Sequence, residues 1–202
     1  MKRATKVAFV VLIFELMSAA GPTLAVVVNF DDLPNHTVLT GTGYAGLLWE
    51  PGNTGFYGNQ GYWLAGELGY PHSTPNFVMN AWGSTQIGIG FRGLVNVNGA
   101  YFAGQGNPSA WTTGVRVHGY RFGSEVALTD WFTEIDSDSD WFAMNLNSVD
   151  RIVIESVPVS EDGGTYSMDD FTYEPVPEPS SLAALALGLL PLSAALARRR
   201  KR

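Results

Sequence analysis

Gly114-Val115-Arg116-Val117-His118-Gly119-Tyr120-Arg121-Phe122-Gly123-Ser124-Glu125 decides the fold. Val115 and Val117 share one face of an extended chain, whereas Tyr120 and Phe122 share the other, a period of two that belongs to strands. The phase slips at Gly119, which predicts a β-bulge there. Phe122-Gly123-Ser124-Glu125 is a tight turn that folds the next strand back as a hairpin. The same grammar extends in both directions. Aromatic and β-branched runs punctuated by Gly, Asn, Asp and Ser give strand candidates at Val26–Phe30, Tyr44–Glu50, Asn76–Ala81, Thr85–Phe91, Leu94–Ala103, Gly114–Phe122, Glu125–Ile135, Trp141–Leu146, Val149–Glu155 and Thr165–Tyr173. No segment has a helical period of any length. The expected fold is all-β, an antiparallel β-sandwich of the jelly-roll kind, over residues 26–175. Gly52–Pro75, rich in Gly and Tyr, reads as one long loop.

The two ends differ from this middle. Lys2, Arg3 and Lys6 precede an apolar run from Val7 to Met17, interrupted only by Glu15. The breaker pair Gly21-Pro22 and two small-x-small sites, Ser18-Ala19-Ala20 and Thr23-Leu24-Ala25, follow. This order predicts a secretory signal peptide over residues 1–25, a signal helix cleaved after Ala25. The run is too short for the roughly 20 apolar residues of a bilayer span. At the other end, Val176-Pro177-Glu178-Pro179 leads into apolar Leu182–Ala197 and then Arg198-Arg199-Arg200-Lys201-Arg202. As a helix the apolar stretch rises only about 24 Å, and Ser180 and Ser181 extend it to a short transmembrane helix over 180–197. The basic tail 198–202 halts translocation and stays in the cytoplasm. Pro177 and Pro179 lack amide hydrogens and hold an extended segment clear of the membrane.

Pro177-Glu178-Pro179, a short apolar helix and an Arg-rich terminus, in that order, resemble the PEP-CTERM sorting signal, here residues 176–202. The resemblance implies a membrane-embedded processing enzyme, an exosortase, as partner. It implies an inner-membrane-anchored precursor delivered to the cell envelope, cell surface or extracellular matrix of a Gram-negative bacterium. The middle domain resembles secreted jelly-roll modules of the carbohydrate-binding kind. It opens with Asn29-Phe30-Asp31-Asp32 and closes with Met168-Asp169-Asp170-Phe171, and the resemblance implies glycan binding.

Charge and composition narrow the partners. Residues 26–175 carry 17 Asp and Glu against Arg92, Arg116, Arg121 and Arg151 and no lysine. Such a surface repels nucleic acid, whose phosphates require clustered cations. A neutral polysaccharide, cations or a basic protein are compatible. There is no cysteine, so neither disulfides nor thiol chemistry contributes.

Four constellations carry possible chemistry. Asp136-Ser137-Asp138-Ser139-Asp140 begins like a calcium loop. Its sixth and twelfth positions are Trp141 and Asn147 where an EF-hand needs Gly and Glu, so it reads as a solvated acidic turn. The doublets Asp31-Asp32 and Asp169-Asp170 come together if the first and last strands pair; they would then bind a structural calcium ion, or one Asp of each would bond backbone at a strand edge. Glu134-Ile135-Asp136 starts a glycosidase strand motif, but Ser139 stands where the second glutamate must be. His36, His72 and His118 lack both a nucleophile setting and zinc spacing. No enzyme is expected. For sugar, Tyr57, Tyr62, Trp63 and Tyr70 are the expected aromatic platform, with Trp63 as principal ring. The leading reading is a non-catalytic glycan-binding or matrix-stabilising module. The alternatives are an adhesion component that recognises protein and a glycan-active enzyme with an unrecognised site.

Overall fold

In the computed structural model, residues 23–52, 63–66, 70–159 and 164–177 are described. The signal helix, Tyr57, Tyr62, Glu178, Pro179 and the transmembrane segment lie outside them. Among the described residues no helix is long and apolar enough to cross a membrane.

Among the described residues of the unit Leu24–Val176 there are nine strands: β1 Val26–Val28, β2 Leu48–Trp49, β3 Trp63–Gly66, β4 Phe77–Asn80, β5 Gln86–Ala103, β6 Val115–Arg121, β7 Ser124–Leu128, β8 Asp140–Ser156 and β9 Ser167–Pro175. They make one sheet in the order β3-β4-β9-β5-β8-β6-β7, with β1 added to β9 and β2 to β5. Every strand pairing is antiparallel. The first and last strands do pair, Val28 opposite Phe171.

β5 and β8 tie the fold together. Gln86–Gly90 pairs with β2 and with Arg151–Glu155, and β6 and β7 continue that half. Val95–Ala103 pairs with the start of β8 and with β9, and β4 and β3 continue the other half. Between the halves the register jumps from Gly90/Arg151 to Val95/Val149, and further shifts follow at Val95/Val97 and Val97/Gly99. Asn145 and Ser148 hold positive φ of 50° and 53° at these slips. Bulges bend paired strands, and the two halves close on one core. Ile87, Ile89, Val117, Ile152 and Ile154 from the first half join Ala100, Phe102, Phe142, Met168 and Phe171 from the second. The result is a β-sandwich whose sheets are continuous through two bent strands.

The hairpin expected at Phe122–Glu125 is present. Phe122 and Gly123 turn the chain with φ of 50° and 82°, the signs a two-residue type I′ turn requires. The register shift between Gly119 and Tyr120 is the expected bulge. Three expectations need correction. Thr85–Phe91 and Leu94–Ala103 are one strand, as are Trp141–Leu146 and Val149–Glu155, because the bulges absorb Gly93 and Asn147-Ser148 without ending the pairing. Glu125–Ile135 stops at Leu128 as a strand, and Phe132 returns only as a bridge to Val115. Gly52–Pro75 is not all loop: Trp63–Gly66 pairs along β4, with Trp63 and Ala65 inward.

Candidate functional site

Trp63, expected as the exposed ring, is a core residue. It is fully buried between Trp49, at 5.5 Å, and Tyr166, at 6.2 Å, both edge-on. Its indole N–H donates to the Gly88 carbonyl at 3.1 Å. The glycine-rich flanks suggest a loop, but cross-strand pairing with Asn80 turns the ring inward. Tyr70 is exposed and stands edge-on to Trp111 at 5.8 Å.

A different set of rings meets solvent, on the outer face of β9, β5 and the first half of β8. Along β5 the inward positions pass from Val95 and Val97 to Ala100 and Phe102. The slip at Asn98-Gly99 therefore leaves Asn96, Asn98 and Tyr101 outward. On β8, Phe142, Met144 and Leu146 face the core while Trp141, Ala143 and Asn145 are exposed. Register then sets Asp169, Tyr101 and Trp141 side by side across the three strands, and directly opposed residues share a face. Tyr101 and Trp141 lie 5.2 Å apart, near edge-to-face. The indole crosses Gly99, where an added Cβ would stand 2.6 Å from Cζ2. Only glycine lets the ring lie flat on the strand.

The segment before β4 folds onto this row. The His72 ring stacks on Tyr101, centroids 3.4 Å apart and planes 8° apart, and its Nδ1 is 2.7 Å from Asp170 Oδ2. Ser73 donates to Asp169 Oδ2 from its amide at 2.7 Å and from its hydroxyl at 3.1 Å, while the Asp170 amide donates to Oδ1 at 2.7 Å. Burial pushes the Asp169 carboxyl up to about 6 despite these donors, and the neighbouring Asp170 charge adds to the shift. Further along the face, the Asn98 amide donates to Glu174 Oε1 at 3.3 Å, and Asn98 Oδ1 has no partner. The Thr172 hydroxyl donates to the Asp170 carbonyl at 2.9 Å.

The two Asp doublets are engaged locally. Asp31 Oδ1 accepts from the Asn76 amide at 3.1 Å and Asp32 Oδ1 from the Tyr44 hydroxyl at 2.5 Å. Burial, and then that bond, hold the Tyr44 phenol above its ordinary range. Asp31 and Asp169 thus both bond backbone of the Ser73–Asn76 stretch. Among the described residues no group of three or more His, Asp or Glu stands close enough to hold a metal ion. Asp138 donates its amide to Asp136 Oδ1 at 2.7 Å, closing the acidic stretch as a local turn. His118 is a half-buried strand residue between Glu125, at 3.1 Å, and Glu155, at 2.7 Å.

Trp141 was legible in principle. It sits in phase with Ala143 and Asn145 and out of phase with Phe142, Met144 and Leu146, so alternation alone places its ring on the polar side. The pairing of Tyr101 with His72 and Asp169 had no local signal, because it joins residues remote in sequence.

The comparisons with known proteins come from both fold and sequence. Among solved structures, an arabinose-bound α-L-arabinofuranosidase is similar at 14% identity and a TM-score of 0.48, over 78% of this chain and 27% of that one. The second CBM51 module and INT domains of Clostridium perfringens ZmpB, in complex with GlcNAc, are similar at 16% identity and a TM-score of 0.36, over 76% of this chain and 32% of that one. This chain thus spans a minor part of each. No curated protein matches. Residues 175–201 match the PEP-CTERM protein-sorting motif, with Pro177-Glu178-Pro179 at its start: the chain carries the sorting signal of exported, exosortase-processed proteins.

Proposed function

We propose that the protein is a non-catalytic module that binds neutral glycan through the outer face of β9, β5 and β8. Exosortase processing of an inner-membrane precursor delivers it to the cell surface or extracellular matrix. The observation that carries the reading is the half-exposed Trp141 indole beside Tyr101, with Asn98, Asp170, Thr172 and Glu174 along the same face. A pyranose presents one apolar face and a rim of hydroxyls. Stacking on the indole removes apolar area worth roughly 25 cal/mol per Å², while amide and carboxylate groups accept or donate to the rim. Carboxylates that already hold the loop serve as positioned acceptors, so little ordering is required. Affinity for one sugar is weak on so open a face, and many displayed copies supply avidity.

The test is a neutral-glycan array on the full chain and on Trp141→Ala. Binding by the parent and its loss in the variant, with an unchanged circular dichroism spectrum, supports the reading. Equal binding by both refutes this site.

A further inference from the structure

The opposite half of the sandwich carries an open cleft of about 360 Å³ at the β5 bend, lined by Leu48, Glu50, Phe91, Arg92, Phe122 and Asp150 among others. Its charges are unevenly committed. Arg151 grips Glu50 in a bidentate pair, with Nε at 2.8 and 3.0 Å from the two carboxylate oxygens and Nη2 at 2.7 Å from Oε2. The same guanidinium lies 5.1 Å above the Tyr120 ring. Asp150 Oδ2 accepts the Phe122 amide at 2.7 Å. Glu50 is therefore paired with a cation, and Asp150 is engaged by a backbone amide.

The cations tell the complementary story. Arg116 pairs with Glu155, and Arg121 donates to the Ser148 and Asn147 carbonyls. Among the described residues neither Arg92 nor Arg121 has an ion pair, and Arg92 alone of the domain's four arginines also lacks a hydrogen-bonded partner; it is exposed at the bend. Beside it Phe122 is 80% exposed, held out by the turn, and Leu48 is 55% exposed. An uncommitted guanidinium next to a bare ring and an ion pair is a three-point arrangement. It fits one anion, one apolar face and adjacent hydroxyls at once.

We propose that this cleft binds a uronate, a sugar ring bearing a carboxylate. The carboxylate meets Arg92 as a charge-assisted pair, of the kind guanidinium forms best. The ring face lies on Phe122, and the free edges of Glu50 and Arg151 meet ring hydroxyls. The volume suits one residue at the small end of the range for ligand pockets. The domain's net negative charge acts over distance and is screened beyond about 8–10 Å at moderate salt. Within the cleft Glu50 and Arg151 cancel, and Asp150 keeps its charge with its Oδ2 held by the Phe122 amide, so Arg92 is the one lining cation left to meet an anion. A neutral sugar leaves Arg92 unanswered, and an acidic peptide leaves the ring and the Glu50–Arg151 pair without a matching edge.

Calorimetric titration of the full chain with trigalacturonate and with its methyl ester tests this, using Arg92→Gln, Phe122→Ala and Trp141→Ala. The parent and Trp141→Ala should bind trigalacturonate alike and prefer it to the ester. Arg92→Gln, at a surface position that bears no core contact, should weaken trigalacturonate about tenfold or more and erase the preference over the ester. Phe122→Ala should weaken both ligands. No binding by the parent, an equal affinity for the ester, undiminished binding by Arg92→Gln, or displacement by triglutamate at equal concentration would each overturn the proposal. Because Trp141 takes no part, failure here is separable from failure of the neutral-glycan site.

Discussion

Two tryptophans of one domain should respond to truncation in opposite ways. Trp63→Ala removes a fully buried indole from between Trp49 and Tyr166 and takes one of two donors from the Gly88 carbonyl, which keeps the Glu50 amide. Core Trp→Ala substitutions cost roughly 3–5 kcal/mol. That is a large share of the roughly 5–15 kcal/mol stability of an ordinary domain. At about 2–4 °C per kcal/mol for a chain of this size, melting should fall by roughly 6–20 °C, or the variant should not fold. Trp141 is 40% exposed and rests on a strand surface. Its truncation should cost on the order of 1 kcal/mol and take glycan binding with it. Differential scanning calorimetry and near-UV circular dichroism on both variants decide the matter. A Trp63→Ala protein that melts with the parent, or a Trp141→Ala protein that unfolds, would refute the assignment of core and surface.

Asp169 makes stability depend on pH. Its folded carboxyl titrates near 6, above the model-peptide value of 3.8, so the folded state holds the proton more tightly. The resulting stabilisation is complete below the unfolded value and is lost as pH rises through about 6, a span worth roughly 3 kcal/mol at most. Asp169→Asn should flatten the fall in melting temperature between pH 4 and 7, and a slope identical to the parent's would remove this carboxyl from the account. Melting in calcium and in chelator tests the Asp doublets: with all four carboxylates already hydrogen-bonded we expect a difference under about 2 °C, and a larger rise would place a cation between them. Replacing Pro177-Glu178-Pro179 with alanines should leave full-length precursor in the inner membrane on immunoblots of fractionated cells. Unchanged processing would show that the enzyme reads something else.

The fold was legible where local rules decide it. Val115, Val117 and Tyr120 alternate on one short strand, and Gly123 is the residue there that readily accepts a positive φ. Continuity was not legible. Gly93 and Asn147-Ser148 carry every mark of a chain break, yet each sits inside a strand that continues past it. Turn formers serve bulges as well as turns, and only the partner strand reveals which. The opposite error occurred at Trp63, where glycine-rich neighbours outweighed a four-residue strand whose register is set by β4.

The candidate sites show why charge totals mislead where positions inform. A net charge near −13 over residues 26–175 argues against acidic ligands only so long as the charges are treated as evenly spread. Arg116, Arg121 and Arg151 lie on adjacent strands, β6 and β8, and Arg92 sits at the bend of β5 that pairs with β8. All the cations of the domain therefore belong to one half of the sandwich. The other half's outer face holds Asp169, Asp170 and Glu174, with no arginine in the stretches that form it, residues 95–103 of β5, 140–146 of β8 and β9. A bent pair of strands makes this partition possible, because its two ends belong to different faces while its register stays fixed. One face is then suited to hydroxyl rims beside an indole, and the other keeps a single uncommitted guanidinium beside a phenyl ring. That difference in chemistry, not the overall charge, is what binding experiments on the two faces will read.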